Sequence, residues 1–226
     1  MAFYTASTTE EKISDRQGGN YINESGVYDV ILKRVCVDTG KSGAVKLHFF
    51  IEYEGTPQML YNTITLTNNN GKENFQTVVF NKLLICLGLK SVGDPKPMDL
   101  LVGKQGAMKS FNVIPDIEDE EITLRIVFDY SSYAGQIYER KLVHNCFRTG
   151  DKASASEIVN QKDIGKQYAF ESDPSICNKS HYAKGLTEAE VLAWKQAKAN
   201  NGDKLTDEEP KSKTFGSEAQ MDDLPF

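Results

Sequence analysis

Hydrophobic positions follow a period of two over most of residues 27–147, with one helical stretch in between. Val27 to Asp38 is rich in β-branched and aromatic residues and predicts a long strand. Its faces are unsorted, with Tyr28, Val30 and Leu32 on one parity and Ile31, Val35 and Val37 on the other, so a bulge or a strand buried on both sides is expected. After the turn 39–43, residues 44–54 alternate cleanly: Val45, Leu47, Phe49, Ile51 and Tyr53 face one way, and Lys46, His48, Phe50 and Glu52 the other. Gln58 to Thr67 predicts a third strand, completing an antiparallel meander. From Glu73 to Leu87 the spacing of Phe75, Val78, Val79, Leu83, Cys86 and Leu87 is helical, and Gly88 stands where a C-terminal cap is needed.

Beyond a Pro- and Gly-containing loop at 93–97, residues 98–102 read as a short helical turn and 103–113 as a strand. Glu121 to Tyr130 and Gln136 to Phe147 predict a hairpin around residues 131–135. Three strands, a helix and a further strand set form the order of a mainly β protein, a five-stranded Greek-key OB barrel with a helix between strands three and four. Residues 148–184 are mixed. Leu186 to Asn200 then predicts a helix with a Thr187/Glu190 capping box and a Leu186/Val191 staple, packing Val191, Leu192 and Trp194. The expected organisation is an N-terminal arm at 1–25, pinned by Phe3, Tyr4, Tyr21 and Ile22. A barrel follows at 26–147, then a helical appendage at 148–202 and a disordered acidic tail at 203–226.

Charge changes this picture in one respect. The chain of 226 residues carries a net −6, yet residues 203–226 hold seven acids and three lysines, a net −4, which leaves −2 on the rest. A nearly neutral body can carry a local basic groove, so the acidic total does not exclude a nucleic-acid partner. No apolar run reaches 18 residues, no secretion signal opens the chain, and the four widely spaced cysteines read as free thiols, all of which point to the cytoplasm and away from a membrane.

The segment Met221-Asp222-Asp223-Leu224-Pro225-Phe226 places two carboxylates beside an apolar, aromatic tip after a polar linker. It resembles the C-terminal tail of bacterial and phage single-stranded-DNA-binding proteins. With the barrel pattern, the chain resembles a phage-type replicative member of that family. The resemblance implies sequence-independent protection of single-stranded DNA in replication, recombination or repair. It also implies recruitment of replication and repair proteins through Asp222, Asp223, Leu224, Pro225 and Phe226, the bacterial host cytoplasm as location, and no cofactor. The length of 148–202 and the lack of a Gly/Gln-rich linker depart from the compact bacterial form.

Single-stranded nucleic acid is held by cations along its backbone and aromatic rings against its bases. Lys46, His48 and Phe50 offer that mixture on the solvent side of the second strand; Lys33, Arg34 and Lys41 add cations from the first strand and turn. The hairpin adds Arg125, Tyr130, Tyr133, Tyr138, Arg140 and Lys141. His144-x-Cys146 and Cys177-x-x-x-His181 hold metal-ligand residue types but lack a close C-x-x-C pair, so they read as buried Cys and surface His. The acidic run Asp116, Glu118, Asp119, Glu120 and Glu121 reads as a solvated loop. No P-loop, H-E-x-x-H or G-x-S-x-G occurs, and no catalysis is expected. Two rival readings are an adaptor docking on a replication clamp without its own DNA grip, and a metal-dependent nucleic-acid enzyme.

Overall fold

The computed structural model describes residues 20–102 and 107–200. The residues Phe3 and Tyr4, the expected tail 203–226 and its partner-binding residues Asp222, Asp223, Leu224, Pro225 and Phe226 lie outside the described residues.

The chain is mainly β. Strands β1 (Gly26–Thr39), β2 (Val45–Tyr53) and β3 (Thr56–Thr67) form the expected antiparallel meander. Helix α1 (Thr77–Cys86) follows, then β4 (Lys96–Val102), β5 (Ala107–Tyr133) and β6 (Gln136–Arg148). The last part holds the short helices α2 (Ala155–Asn160), α3 (Lys166–Glu171) and α4 (Pro174–Cys177), the two-residue strand β7 (His181–Tyr182) and helix α5 (Glu188–Asn200). All strands belong to one seven-stranded mixed sheet, ordered β3-β2-β1-β5-β4, with β6 and β7 also pairing β5. β7 alone runs parallel to its partner.

β5 organises this sheet. Its first residues pair with β4, its middle with β1 and its last part with β6. The acidic run that reads as a loop is therefore strand: Glu118, Glu120 and Glu121 stand opposite Arg34, Leu32 and Ile31 of β1. Likewise 98–102 is not a helical turn but part of β4, because Met98, Leu100 and Leu101 pair with Phe111, Lys109 and Met108. In both places pairing with another strand decides the outcome, β1 some 84–90 residues away for the acidic run and the start of β5 for 98–102, and local composition cannot report it.

The β5–β6 hairpin closes through Ala134 (φ 50°) and Gly135 (φ 76°), a two-residue turn with both central residues left-handed. That handedness matches the twist of the flanking strands. The expected irregularity in β1 is present, with register shifts on either side of Arg34.

One core is built from the inward residues Leu32, Val35, Leu47, Phe49, Ile51, Leu60, Ile64, Ile122, Leu124, Ile126 and Phe128. Helix α1 covers it with Leu83 and Cys86, and Gly88 ends that helix at φ 72°. β3 and β6 also approach each other across this core. Ile22 is buried and its N–H donates to Gln58 Oε1 at 3.2 Å, so the expected pin holds there, whereas Tyr21 is exposed.

Two helices of the appendage start at capping boxes. Ser154 and Glu157 form a reciprocal capping box at α2. Thr187 and Glu190 do the same at α5, as their spacing predicts. Val191 is buried and Trp194 packs on the core, but Leu192, expected to pack, is 52% exposed. On a 3.6-residue period the buried stripe passes through 191 and 194 and leaves 192 outside it.

Candidate nucleic-acid interface

Because β2 alternates, its even residues face away from the main core. There they meet the outward residues of neighbouring strands: Phe50 stands opposite Met59 of β3 and Arg34 of β1, and His48 stands opposite Cys36. Cys36, Phe111 and Val113 form a second buried cluster, with Met59 and Leu100 packed against it. The arm made by β4 and the start of β5 thus contributes Phe111 and Leu100 to this outer face. Lys109 Nζ lies 5.1 Å from the centroid of the Phe111 ring. Half-buried Phe50, Tyr61 and Lys46 complete the face, and Lys41 is exposed in the β1–β2 turn. Tyr61, Phe111 and Lys109 were not among the residues selected on sequence. Tyr61 was missed because β3 alternates only in part, with a register shift between the Leu47 and Phe49 pairings and Asn62 at φ 51°. Phe111 and Lys109 lie in the segment 103–113 expected as a strand, but the pairing with β4 that brings them to this face is hidden, because 98–102 reads as a helical turn.

His48 lies on this face but is buried, not offered to a ligand. The backbone N–H of Asn62 donates to its Nδ1 at 2.8 Å, which places the ring proton on Nε2, 3.8 Å from Asp38 Oδ2. Its ring stands edge-on to Tyr61, with centroids 5.5 Å apart. His48 therefore holds the irregular turn of β3 and the ring beside it.

Two expected cations are already engaged. Lys33 Nζ sits 2.6 Å from Asp119 and 3.6 Å from Glu52, while Arg34 pairs with Glu118 and, at 3.9 Å, with Asp119. The hydrogen bond to Asp119 raises the pKa of Lys33, and the same contact lowers that of Asp119. The acidic segment of β5 is the counter-charge of these two cations.

The hairpin residues divide between two faces. Tyr133, Tyr138 and Arg140 share one face near its tip, with Tyr138 opposite Ser131 and Arg140 opposite Asp129. Tyr133 is 59% exposed, and Arg140 donates to Asp129 at 2.6 Å. Tyr130 and Lys141 point to the other side. Tyr130 is buried and its hydroxyl donates to Glu139 at 3.0 Å, and burial first, then Glu139, raises its pKa. Lys141 Nζ donates to Ile22 O at 2.8 Å and lies over Phe128. Arg125 is turned inward as well, donating to Glu171 at 3.0 Å and to Ile176 O at 3.3 Å. Arg125 and Tyr130 thus serve the union of sheet and appendage, a role that residue type alone does not disclose.

Among the described residues no group of three or more His, Cys, Asp or Glu is placed to hold a metal. His144 and His181 approach with ring centroids 6.4 Å apart. Cys146, however, is fully buried, which pushes its thiol well above the usual range.

No protein-family model matches the chain, and no curated protein matches it. No helix among the described residues is long and apolar enough to cross a membrane.

Proposed function

We propose that this protein binds single-stranded DNA without sequence preference, along the outer face of β1, β2 and β3 and the β4–β5 arm. The observation that carries the reading is the pair of half-buried rings Phe50 and Tyr61 with Lys46 and Lys109 on the same face, aromatic surface and cations interleaved over the buried Phe111. Rings of that kind accept any base, and each stacked base contributes ~1–3 kcal/mol. Lys41 and Lys46 supply positive charge at the edge of the face, while Lys33 and Arg34 serve it only by positioning β1 against β5.

The fold reading that accompanies this is an OB barrel of β1, β2, β3, β5 and β6. Support comes from the antiparallel β1–β5 and β5–β6 ladders, the approach of β3 to β6, and a helix following β3 that covers the core. The β4–β5 arm is then an addition to the barrel. Residues 222–226 act on replication and repair proteins, their carboxylates meeting Lys or Arg while the Phe226 ring enters an apolar pocket.

The test is a titration of labelled oligo(dT) and of duplex DNA at two salt concentrations, with the wild-type chain and with Phe50→Ala/Tyr61→Ala. The expected result is salt-sensitive preference for oligo(dT), weakened at least tenfold by the double substitution. Absence of binding would favour an adaptor, and strand cleavage an enzyme.

A further inference from the structure

Two irregularities of the sheet face each other beside Phe50. Against β2, Leu32 pairs with Ile51 and Arg34 with Phe50, so Lys33 and Arg34 together stand opposite one residue. A bulge re-aims the side chains of the strand that carries it. Here two neighbours in one strand reach the same carboxylate, Asp119, from Lys33 at 2.6 Å and from Arg34 at 3.9 Å. Against β5, the pairs Leu32–Glu120 and Arg34–Glu118 leave Asp119 between them at φ 55°. Left-handed backbone is uncommon outside glycine, and Asp is one of the few residues that tolerate it.

The outcome is a row of register partners across the outer face: Met59, Phe50, Arg34 and Glu118. Arg34 is the cation opposite Phe50 in register, with Lys33 next to it. Cations in that position suit the phosphates of a strand whose bases lie on the rings. Both are instead held by carboxylates, Arg34 by Glu118 and Lys33 by Asp119, with Glu52 a looser second partner of Lys33 at 3.6 Å. The side chains of Glu118 and Asp119 are 50% and 52% exposed. Ion pairs so open to water contribute little stability. The left-handed backbone at 119 is therefore better explained by what these pairs withhold.

Carboxylate and phosphate compete for the same donors, because both accept charge-assisted hydrogen bonds from guanidinium and ammonium groups. We propose that Glu118 and Asp119 are built-in competitors of DNA phosphate: they hold Arg34 and Lys33 beside Phe50 and withhold them from the strand. The inference rests on the DNA-binding reading of this face and adds its regulation. Lys41 and Lys46 then meet the phosphates, and two further contacts stay in reserve. A strand bound in this way is released more readily than the cation content of the face would allow.

Titration of labelled oligo(dT) across a range of salt concentrations tests this in the full chain. Glu118→Gln/Asp119→Asn, in which Asn tolerates the left-handed backbone, should bind about tenfold more tightly than wild type at ~0.1 M salt. Its slope of log K against log salt should steepen by about 1.4, the share of two single-strand phosphate contacts. Adding Lys33→Ala/Arg34→Ala to that variant should abolish the gain. Glu120→Gln/Glu121→Gln, which alters carboxylates that pair with neither cation, should leave the slope at the wild-type value. Asp119→Asn alone should steepen it by about 0.7, so the result does not depend on the double variant folding. Salt-sensitive binding by the wild type with no steeper slope in either Asp119 variant, or an equal gain from Glu120→Gln/Glu121→Gln, would overturn the competition and leave the DNA reading standing. No binding by any of these chains would remove that reading and this inference together.

Discussion

Arg125 of β5 donates to Glu171 of α3 at 3.0 Å, and both side chains are largely buried. This pair ties the sheet to the appendage. Asn145 and Gln167 complete the hydrogen bonding of Glu171, so the charge is both paired and solvated by protein groups.

Removing one partner strands the other. Glu171→Ala should cost about 3–5 kcal/mol in urea unfolding, while Arg125→Met/Glu171→Leu, which removes both charges, should cost much less. Equal losses in the two variants would show that the ionic pair is not the source of the cost.

Acid should loosen the same region. Glu157, Asp29 and Asp151 have folded pKa values below their ordinary ones, Asp151 at about 2, held first by Arg148. Each contributes stability above its unfolded pKa of about 4, and loses it as pH falls through the folded value. The melting temperature is therefore expected to be flat from pH 7 to 5 and to fall from about pH 4.5 towards 2. Glu157→Gln should shallow that fall.

Helix α5 gives a contrast between neighbours. Val191 is 3% exposed and Leu192 52%. Val191→Ala should destabilise by about 1–3 kcal/mol and Leu192→Ala by less than about 0.5 kcal/mol in chemical unfolding. The reverse order would mean that Leu192 has a covered surface.

The hairpin turn holds an alanine at φ 50° beside Gly135. A left-handed alanine is strained, whereas glycine is not. Ala134→Gly should raise stability by up to about 1 kcal/mol, read as a higher urea midpoint at unchanged slope, and leave DNA affinity as it is.

On the proposed DNA face, Lys46→Ala should weaken oligo(dT) binding and reduce the slope of log K against log salt by about 0.7–0.9, the share of one phosphate contact. A similar substitution at Lys33, already paired with Asp119, should leave that slope nearly unchanged.

Local pattern carried the meander, α1, the β5–β6 hairpin and the Thr187 cap, because each rests on alternation or on short-range hydrogen bonds. It failed for β4, whose partners in β5 lie 5–17 residues on, and for residues 118–121, whose partners in β1 lie 84–90 residues back, because pairing rather than local composition sets their conformation. The site residues divide in the same way. The outward placement of Phe50 and Lys46 was legible from parity, whereas Arg125, Tyr130, Lys33 and Arg34 have cationic or aromatic character that is spent on internal partners. Lone residue type cannot separate those uses. Pairing within the hairpin could have: Tyr130 and Tyr138 sit on opposite faces by register.

The 27 residues of β5 run through every part of the described fold. With β1 for a neighbour some 90 residues distant and β4 and β6 on its flanks, it cannot settle until segments far apart in sequence have met. Assembly of this kind closes long loops before most contacts reward it, so folding should be slow for the size, in milliseconds to seconds. It also leaves no internal fragment that could be excised whole: cutting the chain within β5 would deprive the arm, the meander and the appendage of a common spine.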